Sequence, residues 1–165
     1  YNKPSQHIHI AIAPTKSHDR IEWFIEKSIE IGIQEISFIS SHYSERNNVK
    51  FNRIKKRAIS SMKQSLKAYI PKINDIISFQ TFIENCNNKE KYIGYLGDSN
   101  GKYLSRIANP GSNYCILIGP EGDFIPAEVN FALNHGFTTI SLGKTRLRTE
   151  TAGIVACHIL NIVNE

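Results

Sequence analysis

Tyr114-Cys-Ile-Leu-Ile118, followed at once by Gly119-Pro-Glu-Gly-Asp123, decides how the rest of the chain is read. A short apolar run stopped by glycine and proline is the pattern of a strand buried on both faces, as strands of parallel sheets are. Outward from it, the pattern alternates in type. Residues 7–13 (HIHIAIA) alternate polar and apolar as a strand does. Residues 19–31 carry Ile21, Phe24, Ile25, Ser28 and Ile29 at helical spacing, with Asp19 as cap and Gly32 as stop. Strands are expected at 35–40, 75–79, 92–96 and 138–142, and helices at 126–135, before Gly136, and at 149–163. Strands alternating with helices predict an α/β domain with a mainly parallel sheet flanked by helices.

Composition fits that reading. The chain has 165 residues, 41% hydrophobic, which suits one domain with its own core and excludes a disordered chain. No apolar run approaches the roughly 18 residues of a spanning helix, and no signal-peptide pattern opens the chain. Three well-separated cysteines, Cys86, Cys115 and Cys157, argue against a disulfide framework and for a reducing, cytoplasmic setting. There are no internal repeats and no low-complexity tracts. Residues 1–7 read as the tail of a linker, with the domain proper at 8–165, so the chain is expected to be a fragment that something preceded.

The formal charge of +5 is unevenly placed. Residues 44–72 hold nine cations against one acid, Glu45, a local +8 that leaves −3 for the remainder. Within them Ile54, Ala58, Met62, Leu66 and Ile70 recur every fourth residue, predicting a helix with one buried stripe that Pro71 closes. Its cations fall largely off the stripe. They form either a solvated face or a surface for polyanion phosphates.

In open parallel sheets, ligands bind at the carboxyl ends of strands. Three loops qualify: Gly97-Asp-Ser-Asn-Gly101, Gly119-Pro-Glu-Gly-Asp123, and residues 143–149. Each begins with glycine, which lets a backbone approach a ligand closely. None is a G-x-G-x-x-G or G-x-x-x-x-G-K-[ST] motif, so a dinucleotide or P-loop site is not expected. In the third loop, Thr149 can cap the last helix and Glu150 is favoured there by the helix dipole. Arg148 is placed to hold a phosphate or to stabilise negative charge on a substrate oxygen.

Together, Ile118-Gly-Pro-Glu-Gly122, Leu142-Gly143 and Leu147-Arg-Thr-Glu-Thr-Ala152 resemble the signature of the SPOUT-class 16S ribosomal RNA (uracil-N3)-methyltransferases. Lys27-Ser-Ile-Glu-Ile-Gly32, Ser44-Glu-Arg46, and Gln64-Ser65 followed by Pro71 match weaker motifs of that family. The likeness runs over nearly the whole chain. It implies an S-adenosylmethionine-dependent enzyme with a C-terminal trefoil knot, acting as a homodimer on 16S ribosomal RNA or the small ribosomal subunit. It also implies an N-terminal β-barrel RNA-binding domain, which this chain is expected to lack. On the resemblance, Leu96, Gly97, Ile118, Gly119, Pro120, Glu121, Gly122, Leu142, Gly143, Leu147, Arg148, Thr149, Thr151 and Ala152 become cofactor-pocket candidates. Arg148 and Glu150 become catalytic candidates, Arg148 for the negative oxygen of the uracil anion. Arg46, expected from the partner subunit, joins Arg53, Lys56, Arg57, Lys63 and Lys67 as RNA-contact candidates. The chain departs from the family pattern at Asp123, where a second glycine is usual, at Lys144-Thr145-Arg146, and at Lys67.

Other residues carry less. His7 and His9 share a strand face but lack a third ligand at suitable spacing, so no metal site is expected. Cys157, His158, Trp23 and Phe24 read as packing residues or dimer contacts. Competing readings are a ribose 2′-O-methyltransferase and a non-catalytic RNA-binding module.

Overall fold

The computed structural model describes residues 4–98 and 101–165; Ser99 and Asn100 of the first glycine loop, and residues 1–3 of the expected linker, lie outside the described residues. The elements run β1 (His7–Ile12), α1 (His18–Ile31), β2 (Glu35–Ser40), α2 (Phe51–Gln64), β3 (Lys72–Ser78), α3 (Phe79–Asn85) and β4 (Glu90–Gly94). They continue with β5 (Lys102–Tyr103), α4 (Leu104–Ile107), β6 (Asn113–Ile118), α5 (Pro126–Leu133), β7 (Thr138–Ser141) and α6 (Thr149–Val163). The strands form one sheet in the order β3-β2-β1-β6-β4-β7-β5, every pairing parallel.

The sheet is covered on both faces, as the apolar run at β6 requires. Tyr114, Ile116 and Ile118 pack with Ile8, Ile10 and Ile12 of β1 under α1, α2 and α6. Cys115 and Leu117 face the other way, with Ala11, toward Phe79, Phe82 and Ile83 of α3 and Val129 and Ala132 of α5. The period of two along a strand sorts these side chains into the two layers. Helix α6 lies so close to α1 that a Cβ on Gly153 would meet the Phe24 ring at 2.6 Å. No helix among the described residues is long and apolar enough to cross a membrane.

Several boundaries differ from the expectation. The basic helix ends at Gln64, not at Pro71. Leu66 takes a left-handed φ of 57°, and the N–H groups of Leu66 and Lys67 close back on the carbonyls of Lys63 and Met62. This is the Schellman closure, usually built on glycine. Leu66 and Ile70 therefore leave the stripe, and Leu66 is 91% exposed. At α1 the N-cap is Ser17, with Asp19 inside the first turn. Phe79 opens α3 rather than closing β3, because the Ser78 hydroxyl accepts the Thr81 N–H at 3.2 Å. Strand β4 stops at Gly94, two residues before Leu96. Helix α3, strand β5 and helix α4 were not anticipated. β1 begins at His7, inside the stretch read as linker.

His9 is buried on the α3 face, against the Ser37 hydroxyl at 2.7 Å and edge-on to Phe82. Burial, only partly offset by Glu35, pushes its pKa from the ordinary 6.5 down to about 4.

Two outcomes follow. Replacing Leu66 with glycine removes the left-handed strain and is expected to stabilise the fold by about 1 kcal/mol, a rise of roughly 2–4 °C in melting temperature. Acidification should destabilise the protein as well. Below pH 6.5 unfolded chains take up a proton that buried His9 refuses until about pH 4. Urea midpoints should therefore fall through that window, by an amount equivalent to about 3 kcal/mol, and His9→Asn should flatten the slope.

Candidate active site

The carboxyl ends of β4, β6 and β7 open on one cavity of about 820 Å³. That is the size of a small-molecule site. Its wall comes from all three glycine loops. Leu96, Ile118, Gly119, Pro120, Glu121, Leu142, Gly143, Leu147, Arg148, Thr149 and Ala152 line it, as do Tyr95, Asp98, Tyr103, Asp123, Ser141, Lys144, Thr145 and Arg146. Gly97, Gly122 and Thr151 do not. A Cβ on Gly122 would meet the Cβ of Tyr43 at 2.9 Å, so Gly122 serves the packing of the loop after β2. At Gly97 the obstacle would be the Tyr95 ring, at 2.4 Å.

The glycines that do line the cavity suit a ligand held by backbone. Gly143 has φ +151° with open space around its missing side chain, so only glycine holds the chain there without strain. Gly119 lies so close to the Phe124 ring that a Cβ would touch it at 3.2 Å. Ile118, Leu142, Leu147 and Ala152 provide an apolar surface, and Arg146 and Arg148 bring charge to the rim.

The start of α6 is built differently from the expectation. Arg148, not Thr149, is the N-cap residue, and its side chain makes no capping bond. The Thr149 hydroxyl instead donates to the Gly119 carbonyl at 2.9 Å, tying the third loop to the second. Arg148 is exposed on the cavity side. Glu150 is 5% exposed, with Arg20 Nε 3.9 Å from its carboxylate, and it is not part of the cavity wall. The two catalytic candidates thus sit on different sides of the helix start.

The model of the RNA methyltransferase domain matches residues 2–161. The chain belongs to the RNA methyltransferase domain family. It is 35% identical over 159 residues to the ribosomal RNA small subunit methyltransferase E of Mesomycoplasma hyopneumoniae, covering 93% of this chain and 68% of that protein. Among solved structures, a probable rRNA-methyltransferase from Porphyromonas gingivalis superposes with a TM-score of 0.94 at 46% identity, over 99% of this chain and 71% of that one. A ribosomal RNA small subunit methyltransferase E from Neisseria gonorrhoeae bound to S-adenosyl methionine superposes at 0.89 with 25% identity, over 99% and 68%. The chain thus spans roughly two thirds of the length of these RNA methyltransferases.

In this RNA methyltransferase domain the basic candidates divide into two groups. Arg53 and Arg57 turn toward α1, where the Glu22 carboxylate lies 2.9 Å from Arg53 Nε and 3.5 Å from the Arg57 guanidinium. Asp19 and Glu26 approach the same two arginines at 3.9 Å. Buried Glu22 also accepts a bond from His18, whose other ring nitrogen takes the Lys50 N–H. Burial works to raise the Glu22 pKa, but the hydrogen bonds of His18 and Arg53 overcome it and hold the carboxylate below its usual range. Lys56 and Lys63 stand exposed on the same helix, and Lys67 is half-buried just beyond it. Arg46 lies on the loop after β2 and donates to the Lys16 carbonyl at 3.0 Å, while the Lys16 N–H reaches Glu121 of the cavity wall at 3.2 Å.

No cluster of three metal-ligating side chains occurs among the described residues. His7 and His9 both turn to Glu35, at 3.0 and 3.7 Å. Cys157 is buried, with its thiol 3.3 Å from the Gly32 carbonyl. Phe24 is core, whereas Trp23 is 44% exposed. The sequence reading missed Tyr95 and Tyr103 as wall residues; Tyr103 sits on β5, whose two residues carry no periodic signal.

Glu22→Ala leaves His18 and Arg53 without their acceptor in a buried place. Discounting for half-exposed Arg53, we expect a loss of about 2 kcal/mol in a denaturant titration.

Proposed function

We propose that this chain transfers a methyl group from S-adenosylmethionine to N3 of a uridine in the 16S ribosomal RNA of the small subunit, in the cytoplasm. The observation that carries the reading is the cavity at the ends of β4, β6 and β7, in a domain that superposes over nearly its full length on a relative bound to S-adenosyl methionine. Gly119, Gly143 and the apolar side chains of Ile118, Leu142, Leu147 and Ala152 fit such a cofactor, because they combine backbone access with an apolar surface. The cofactor, when bound, supplies an electrophilic methyl on a sulfonium.

The residues of the chain have a narrower task. A uracil N3 is an imide nitrogen that must lose its proton, and a paired base must leave its helix to be reached. The charge then spreads onto the ring oxygens. Arg148, exposed at the cavity rim with its guanidinium uncommitted to capping, stabilises that oxygen charge. Glu150, buried beside Arg20, keeps the start of α6 in place. Arg46, Lys56, Lys63 and Lys67 hold phosphates; Arg53 and Arg57 contribute only the face they leave open beyond Glu22.

Two further parts belong to the proposal. The segment from β6 onward threads as a trefoil knot, which agrees with β6 lying between β1 and the earlier strand β4, and β7 between β4 and β5. The chain also works as a homodimer. Its last helix is apolar nearly all round, with Ile162 half exposed, which suits a second copy covering it.

The test has two stages. Calorimetry on the chain should show S-adenosylmethionine binding one site per chain. Methylation of small ribosomal subunits, with mass mapping of the product nucleotide, should place the methyl on a uracil N3. Methylation on a ribose oxygen would replace this reading with the 2′-O one. Arg148→Ala should lower kcat by about 100-fold or more, in line with loss of an oxyanion-stabilising donor. Retained activity would remove Arg148 from its role.

A further inference from the structure

Asp123 has no part in the mechanism above, yet its backbone is strained and its carboxylate is fully engaged. Its φ is +66°, in the left-handed region that costs an ordinary residue about 1 kcal/mol or more and that aspartate tolerates better than most. The Asp123 N–H closes a turn on the Pro120 carbonyl at 2.9 Å. Of the side chain, Oδ1 accepts the Phe124 N–H at 2.8 Å. Oδ2 reaches across to the loop after β4 and accepts the Leu96 N–H at 3.2 Å. Glycine would hold this backbone at lower cost, but it would leave the two loops unlinked.

The link matters because of where Leu96 sits. It lies two residues past the end of β4, is 60% exposed, and forms part of the cavity wall. On its far side the same loop is tied to β7, where the Thr139 hydroxyl donates to Asp98 at 2.6 Å. Between these two anchors the loop is held against both of its neighbours in the wall. A wall fixed in advance spares the ligand the entropy of ordering it.

We propose that Asp123 is a positioning residue for the cofactor: through the Leu96 N–H its carboxylate holds residues 95–98, just after β4, in binding geometry before any ligand arrives. The proposal rests on the S-adenosylmethionine reading of the cavity. Asp123→Gly should relax the backbone and remove the link; Asp123→Asn has one acceptor oxygen for two N–H groups, so with that oxygen on the nearer Phe124 N–H its amide NH2 faces Leu96 and the link is lost.

Calorimetry of the chain with S-adenosylmethionine should show Kd raised about tenfold in both Asp123→Gly and Asp123→Asn. In the ligand-free protein, amide exchange at Leu96 should quicken in both variants, while exchange at Phe124 should stay slow in the asparagine one. The melting temperature of the glycine variant should not fall, which separates loop positioning from general destabilisation. Wild-type affinity in Asp123→Gly overturns the proposal, as does wild-type affinity in Asp123→Asn with Leu96 exchange quickened. A wild-type chain that binds no S-adenosylmethionine would refute the cofactor reading itself, and this proposal with it.

Discussion

Strand β6 has no exposed side chain from Tyr114 to Leu117, because helices cover both of its faces and strands pair along both of its edges. A sealed strand cannot keep an unpaired polar group anywhere along its length. Polar chemistry is therefore driven to the point where the chain leaves the sheet, and there the backbone groups of Gly119 and its neighbours first become available. Strands β4 and β7, the next two in the sheet on one side of β6, are buried only at Tyr92, Ile93 and Ile140, and they end level with it. The cavity sits where it does because a sealed strand and its two neighbours in the sheet end side by side.

That constraint also explains how much was readable in advance. The sealed run at β6, the alternation in β1 and the helical spacing of α1 and α6 are local patterns, and those elements came out within a residue or two. The glycine loops were readable because each follows such a run. What stayed hidden depends on partners far along the chain. Strand β5 exists only through its pairing with β7, and the Thr149 hydroxyl finds its acceptor 30 residues back, at Gly119. The end of α2 was misjudged because a leucine does the work that glycine normally signals. At Asp123 the sequence showed a departure from the family pattern, but not the Leu96 N–H that its carboxylate reaches.

Charge behaved in a third way. Read along the chain, the basic stretch offered a choice between solvated face and phosphate surface. In the fold, acids of α1 that precede it by some 30 residues take up Arg53 and Arg57 through a buried carboxylate. Part of the +8 is thus internal structure, and the remainder, concentrated on lysines, faces outward. The two arginines join helix to helix, while Lys55, Lys56 and Lys63 stand exposed on the same helix.

The strand order has a consequence for how the protein is made. Both neighbours of β4, namely β6 and β7, come after it in the chain. As the polypeptide emerges, Tyr92 and Ile93 must wait for some two dozen further residues before a first pairing edge exists. At synthesis rates of about 5–20 residues per second that interval is about 1–5 s. Until β6 is made, the edge of β1 that it covers and both edges of β4 have no partner strand. The last strand to be made is β7, which enters between β4 and β5, and α6 follows it, so the cavity wall, drawn partly from residues 140–152, is complete only when the end of the chain is in place.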